Sequence, residues 1–457
     1  MSTFVQDPHD LLVIPGPIEV TDSVLYANAH PSMSHVSKDF IPVFGDSIRM
    51  TREVLYAGSD TQPFLISGSG TLGWDQVAAN LVEEGEEALV LHSGYFADSF
   101  ADCLQTYRAS VTQVKAPVGR AVTKAQLEEA LLEKQKEGKS YKVVTFTHVD
   151  TSTGVLSNAK EIAETVRRIS PSSLVRPFPL SLTHFIDIAS PSPPHASLLR
   201  HTIMGRLYQM MHFHGPIQFR SPIQVIADCV CSVASEEIKF DDWGIDVVIS
   251  ASQKGLGTPP GLSILLASAR AIDVFKNRKS PPSSYYASWA KWLPIMKAYE
   301  AGNPAYFATP PVNLIYAYNA SLKIITAKRS ASEPKWPTEV ITPLEERFAL
   351  HKAASEKIKV AAAELGLKQL PQVDEEAANG MSALYYPEGL GAADILPRLA
   401  QRGIVVAGGL HAECKDKYFR IGHMGLSVVD TERGDVDRVV ESLKAALAEA
   451  KAQKGIP

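Results

Sequence analysis

Two charged residues stand where apolar strands should end. Lys254 follows the run VVISA in the stretch DVVISASQKGLGTPPG (246–261), and Asp228 closes the run VIAD, 26 residues earlier. A lysine at the mouth of a buried strand costs free energy unless it is paired or neutralised. The same desolvation lowers its pKa and makes the amine a usable nucleophile toward a carbonyl. Such a lysine can also extend its head along the strand end into solvent. The spacing to Asp228 is about one strand-helix-strand unit, so the two strand ends can be neighbours. An aspartate there can hold the proton of a pyridinium nitrogen and keep a cofactor ring an electron sink. It can also cap a helix.

A third element is Gly68-Ser69-Gly70-Thr71, placed between an apolar run and an amphipathic stretch. Its N–H groups and hydroxyls can hold a phosphate at a helix N-terminus. No GxGxxG follows a strand and no GxxxxGK[ST] occurs, so dinucleotide and P-loop readings lack their fingerprint. Cys103, Cys229, Cys231 and Cys414 form neither a zinc pattern nor a disulfide framework. No metal is expected, and a reducing compartment fits. Cys229 and Cys231 read as small packing residues, and His148 and His423 as structural.

The elements that must position these residues are legible as short apolar runs: PFLIS, EALVLH, YKVVTFT, VIAD, DVVISA and LSILLA, with charged amphipathic stretches between most of them. This pattern predicts an α/β fold with a mostly parallel sheet covered by helices on both faces. Ligands of such sheets bind beyond the carboxyl ends of the strands. The residues directly after each run should therefore converge: Ser67 to Thr71, Ser93 to Phe96, His148, Asp150, Thr151, Thr153, Asp228, Gln253 and Lys254. After residue 327 long helical patterns (343–365 and 435–450) surround the strands MSALYYP and YFRIGHMG, which predicts a smaller α+β domain. The expected organisation is an N-terminal arm over 1–20, a large domain over 21–327 and a small domain over 328–457.

One segment breaks the pattern. From Val175 to Gln224 there is no Lys or Glu, one Asp, five of the chain's thirteen His, and dense Ser and Pro. It lies between a helix and a strand, where α/β connections usually take about two to six residues. Val-Arg can be encoded by GTACGT and Gln by CAG, so a translated intron is one reading of 175–224. Its removal keeps frame and joins SPSSL to VIADC. An authentic insertion is the other.

The chain has 457 residues, of which 45% are hydrophobic and 21% charged, and a formal net charge of -5. This balance gives no reason to expect nucleic acid or an anionic membrane as partner. No run reaches the roughly 18 apolar residues of a membrane span. The start MSTFVQDPHD has no signal core and the end QKGIP is no peroxisomal tripeptide. A cytoplasmic protein is the default expectation, with mitochondrion and peroxisome left open.

Taken together, IPGP (14–17), SGSGTLGWD, HSGYFADSF, THVDTSTGV, DCVCSVASEE, SASQKGLGTPPG, YFATPPV and KYFRIGHMG resemble the class V aminotransferases of pyridoxal phosphate fold-type I, most nearly the fungal alanine-glyoxylate aminotransferases. The resemblance implies that Lys254 tethers pyridoxal 5'-phosphate and moves the proton of the substrate α-carbon, and that Asp228 pairs the ring nitrogen. Phe96 would stack on the ring. Ser69, Gly70, Thr71 and Gln253 would meet the phosphate, and Thr151 would bond near the ring oxygen. Tyr306 and Thr309 would reach the phosphate of a second subunit in a homodimer. Arg420 would clamp the carboxylate of the amino acid or 2-oxo acid, a task suited to a planar guanidinium. Ile14 stands where many relatives have Gly, close to the expected substrate position. The implied reaction moves the amino group of L-alanine to glyoxylate. Alternatives are a serine-pyruvate or serine-glyoxylate enzyme, or an inactive product of an unspliced transcript.

Overall fold

The computed structural model describes residues 4–170, 222–327 and 342–456. A seven-stranded sheet organises the larger part of them. Its strands are β1 (Gln62–Ser67), β2 (Glu87–His92), β3 (Ser110–Lys115), β4 (Val143–Thr147), β5 (Gln224–Asp228), β6 (Val247–Ala251) and β7 (Leu262–Ala267), in the spatial order β1-β7-β6-β5-β4-β2-β3. Neighbours from β6 to β3 are parallel, whereas β7 is antiparallel to both β1 and β6. The central strands are buried along their whole length, so they read as continuous apolar runs. Strand β3 falls outside the pattern expected from such runs. It lies at the sheet edge, half exposed, and its SVTQVK carries no apolar signal.

Helices α1 (Phe40–Val54), α2 (Thr71–Leu81), α3 (Tyr95–Thr106), α4 (Lys124–Lys136) and α5 (Ala159–Ile169) accompany these strands. In α5 the buried stripe Ala159, Ile162, Ala163 and Val166 has the i, i+3, i+4, i+7 spacing of a helix with one face on a core. Asp246, fully buried at the entry to β6, accepts from Val225 N–H (2.8 Å) and Arg270 Nε (2.8 Å) and also pairs with Arg167. It thereby fixes the start of β6 against β5, whose register places Asp228 opposite Ile249.

Helix α6 (Val312–Thr326) packs on α1, and the chain then continues, from Thr342, into α7 (Leu344–Glu364). A three-stranded antiparallel sheet follows, with β8 (Met381–Tyr385) and β9 (Ala407–Gly408) flanking the central β10 (Tyr418–Gly422). The chain ends in α8 (Asp435–Lys454). A second apolar cluster gathers Ile358, Leu384, Phe419, Ile421, Leu443 and Leu447 together with Leu11 and Val13. Leu11 and Leu12 pair in parallel with Ile404 and Val405. The N-terminal segment is thus built into the C-terminal core. No helix among the described residues is long and apolar enough to cross a membrane. Of the anomalous segment 175–224, only Pro222, Ile223 and Gln224 belong to the described residues, and Gln224 opens β5.

Candidate active site

Strand direction brings the ends of β1, β2, β4, β5 and β6 to one side of the sheet, and the site is built from the loops that leave them. Asp228, the last residue of β5, is buried. Its Oδ2 accepts from Trp74 Nε1 at 2.8 Å and its Oδ1 from Val230 N–H at 3.1 Å. Burial, reinforced by the charge of Asp150, pushes its carboxyl up to about 6 against the pull of those donors and of Lys254.

Lys254 follows β6 by three residues and is buried. Its Nζ donates to Pro15 O, and no ion pair engages it among the described residues. Desolvation pulls its pKa down; the nearby Arg420 charge adds to this, while Cys231 and Asp228 act in the other direction. The side chain passes directly over Gly16, where a Cβ would lie 2.6 Å from Nζ and 2.7 Å from Cε. Gly16 also has φ +92°, a backbone conformation that glycine adopts without strain. The turn Ile14-Pro15-Gly16-Pro17 therefore supports the amine on one side. On its other side it meets β10, since Gly422 N–H donates to Val13 O at 2.7 Å.

Helix α2 starts at Thr71 without a side-chain cap; Leu72 and Gly73 N–H turn back to Ser69 O (3.1 Å) and Gly70 O (2.8 Å), which leaves the N–H groups of Ser69, Gly70 and Thr71 outside these turn bonds. Ser69 and Thr71 are exposed and Gly70 is buried. A Cβ on Gly70 would sit 2.7 Å from Val230 Cγ2, so this glycine lets the helix start lie against the Val230 side chain, two residues beyond Asp228. One turn into the helix, Trp74 makes the Asp228 bond, stacks on Phe100 (centroids 5.5 Å apart, 14°) and meets Phe96 edge-on at 6.5 Å. Phe96 is held at the start of α3 by the turn after β4. Ser152 Oγ accepts from Tyr95 N–H at 3.0 Å and donates to Asp150 Oδ1, which also accepts from Ser152 N–H at 2.9 Å.

Thr151 is buried in that same turn, with its hydroxyl toward Cys231, and its carbonyl accepts from Arg420 Nη1 at 3.0 Å. Arg420, half-buried in β10, also donates from Nε to Gly408 O at 2.8 Å. It keeps one guanidinium nitrogen, Nη2, beyond these bonds. Gln253 precedes Lys254, and its Oε1 is buried without a hydrogen-bond partner.

The structure thus brings Lys254, Asp228, Gly70, Phe96, Thr151, Gln253 and Arg420 into one region, with Ser69 and Thr71 at its rim. It does not bring in Tyr306 and Thr309. Both lie on the loop before α6, away from the buried groups, and the Tyr306 ring meets His35 at 5.0 Å. His148 and His423 are buried and hydrogen-bonded to Ser232 and Ser382, and burial lowers them to about 4 and about 3. Burial also raises the Cys229 and Cys231 thiols, which keeps them unreactive. Trp74 and Ser152 are contributors that the sequence pattern does not single out, whereas Asp150 is among the residues expected after the β4 run. Their signal is position only, since GWD and DTS lie inside the motif stretches.

The donor set suits pyridoxal phosphate: a desolvated amine with no carboxylate partner among the described residues, a buried carboxylate for a ring nitrogen, and a helix start without a side-chain cap for a phosphate.

The family model for class-V aminotransferases matches residues 20–175 and 202–424. The chain is 34% identical over 454 residues to alanine--glyoxylate aminotransferase 1 of Saccharomyces cerevisiae, covering 97% of this chain and 99% of that one. It is 25% identical to the serine--glyoxylate aminotransferase of Methylorubrum extorquens, over 91% of this chain and 86% of the relative. Among solved structures, the alanine--glyoxylate aminotransferase of a Nostoc species superposes with a TM-score of 0.74 at 24% identity, covering 98% and 97% of the two chains.

Proposed function

The chain belongs to the class V aminotransferases, enzymes that act through pyridoxal phosphate, and from that premise we propose that it moves the amino group of L-alanine to glyoxylate, giving pyruvate and glycine. The observation that carries the reading is the buried Lys254 amine, without an ion pair among the described residues and within electrostatic reach of Asp228 and Arg420. The choice of alanine and glyoxylate rests on the yeast relative.

When bound, the cofactor supplies an electron sink for the pair left behind as the substrate α-proton departs. The remaining work belongs to the chain. Lys254 would tether the cofactor and act as the base that takes the substrate α-proton; desolvation lowers its pKa and favours the neutral amine that this role needs. Asp228, clamped by Trp74 and Val230, holds the proton of the ring nitrogen. Phe96 packs on the ring face, and Thr151 donates near the ring oxygen. The N–H groups of Ser69, Gly70 and Thr71, with Gln253, hold the phosphate. Arg420 binds the substrate carboxylate with the guanidinium nitrogen its backbone acceptors leave open, and those acceptors hold the fork in orientation. Ile14, on the turn that carries Gly16, stands where many relatives have Gly and would restrict the donor side chain.

The enzyme works as a homodimer in which the partner's Tyr306 and the partner's Thr309 complete the phosphate site. The position of both residues on an outer loop of this chain is compatible with that reading. Organisation into a large domain over 21–327 and a small one over 328–457 belongs to the same proposal, as does the cytoplasmic location.

The test is a visible spectrum of the protein after addition of pyridoxal phosphate and removal of the excess. The expected band bleaches with L-alanine and returns with glyoxylate, and is absent in Lys254→Ala. A Lys254→Ala protein with normal steady-state transamination would overturn the assignment. Serine is the second donor to try, because relatives in Methylorubrum extorquens and Arabidopsis thaliana bear the name serine--glyoxylate aminotransferase. Faster bleaching by serine than by alanine would select that reading.

A further inference from the structure

Arg347 is buried in the first turn of α7, 3% exposed, and makes no ion pair among the described residues. A cation in a helix's first turn opposes the helix dipole, and a buried cation without a carboxylate carries a desolvation cost. Burial pulls its guanidinium down to about 10. A residue that breaks two local rules at once needs a compensating role.

Its hydrogen bonds supply one. Arg347 Nη2 donates to Gly255 O at 2.7 Å, the carbonyl directly after Lys254, and Nε donates to Ala234 O at 3.0 Å, in the loop that leaves Asp228. Those two backbones touch: a Cβ on Gly255 would be 3.3 Å from the Ala234 carbonyl carbon. Ala234 is held at φ +64°, a conformation an L side chain adopts only at a cost, so this loop is maintained by its surroundings. One turn further along α7, His351 accepts from Gly425 N–H at 3.0 Å through Nε2 and bonds Arg347 O at 2.7 Å through Nδ1. The same stretch of helix thus also grips the loop that follows the Arg420 strand.

We propose that Arg347 is a positioning residue that locks the Lys254-Gly255 turn onto the loop behind Asp228 and so fixes where the amine points. The proposal rests on the reading of Lys254 as the cofactor tether. Asp228 has its own clamp in Trp74 and Val230 N–H, so loosening Arg347 displaces the amine more than the carboxylate. The planar fork matters, because a lysine places a single ammonium and cannot span both carbonyls in the same geometry.

The experiment compares two forms of the cofactor on wild type, Arg347→Lys and Arg347→Met. Pyridoxal 5'-phosphate needs the Lys254 amine, whereas pyridoxamine 5'-phosphate occupies the same pocket without bonding it. Displacing a reacting group by about an ångström costs on the order of a hundredfold. We expect Arg347→Lys to bind pyridoxal phosphate at least roughly tenfold more weakly while its affinity for pyridoxamine phosphate stays within about twofold. Arg347→Met should show the larger loss of the two. Equal weakening of both forms, or no change in either, would overturn the proposal. An Arg347→Lys protein that cannot be recovered folded would do so too, since it would make the residue a determinant of the fold. Borohydride reduction of the wild-type complex and mass spectrometry of the Lys254 peptide separate the two levels. If wild type forms no bond at Lys254, the tether assignment fails, and not the positioning.

Discussion

The indole of Trp74 donates to Asp228 Oδ2 at 2.8 Å, so the carboxylate read as the ring-nitrogen partner is held by a side chain from a different element. The bond runs from the first turns of α2 to the end of β5, 154 residues apart in sequence. It ties the helix whose N-terminus is proposed to meet the phosphate to the carboxylate proposed to meet the ring nitrogen. A buried hydrogen bond to a charged group contributes about 1.5–3 kcal/mol.

Trp74→Phe keeps most of the packing on Phe100 and removes the donor. Asp228 then loses one of two N–H groups that favour its ionised form, and its pKa should rise further. We expect kcat to fall by roughly tenfold or more, with KM for alanine changed little, because the loss falls on the electron sink and spares the substrate carboxylate. A fall in kcat/KM carried entirely by KM would show that Trp74 acts on substrate binding instead.

Asp228 also makes a pH prediction for the protein without cofactor. Its folded pKa, about 6, is above the ordinary aspartate value of 3.8. A carboxyl raised on folding contributes stability that is present below its unfolded pKa and lost as pH rises through its folded pKa. The cofactor-free wild type should therefore lose this contribution between about pH 4 and 7. Asp228→Asn does not titrate, so its melting temperature minus that of wild type should grow across that window and level off above it. Thermal melts of both proteins at several pH values check this. A constant difference would show that the Asp228 pKa is not raised by folding.

Which parts of this site are legible in the sequence follows from what each residue does. Lys254 and Asp228 stand out because a charge at the end of a buried apolar run is costly to keep unless something uses it. Their pairing through β5 and β6 follows from spacing alone, since adjacent parallel strands lie one crossover apart. Trp74 does not stand out, because an aromatic on an amphipathic helix is usually core, and here it is core and donor together. Arg347 is hidden for a similar reason. One arginine on a charged helix looks like solvated surface, and only tertiary packing shows that it is buried. Strand β3 gives no signal because an edge strand has one side to solvent and no need of an apolar run.

Gly16 is the position where a single methyl group should matter most. Its φ of +92° disfavours any side chain, and an alanine Cβ would enter the space taken by the Lys254 side chain. Gly16→Ala should cost about 1 kcal/mol of stability from backbone conformation. The larger effect should be on function, with pyridoxal phosphate uptake slowed and kcat lowered roughly a hundredfold as the amine is displaced. Stopped-flow uptake and steady-state assay measure both. Unchanged uptake in a folded Gly16→Ala protein would mean that the amine leaves Gly16 before it reacts.

The segment Val175–Gln224 gives the last prediction. Helix α5 ends at Ile169 and β5 begins at Gln224, and the family model leaves 176–201 unmatched. In a chain lacking 175–224 the connection becomes Ser170–Ser173, four residues, within the usual range of about two to six. Leu174 then takes the place of Gln224, a buried position opposite Val143, so an apolar side chain replaces an amide at the start of a central strand. We expect the shortened chain to be soluble, to take up pyridoxal phosphate and to melt at a higher temperature than the full chain. Transcript reads across the junction should then include a spliced form. A shortened chain that fails to fold, beside a full chain that turns over alanine and glyoxylate, would make the segment an authentic part of the enzyme and remove the intron reading.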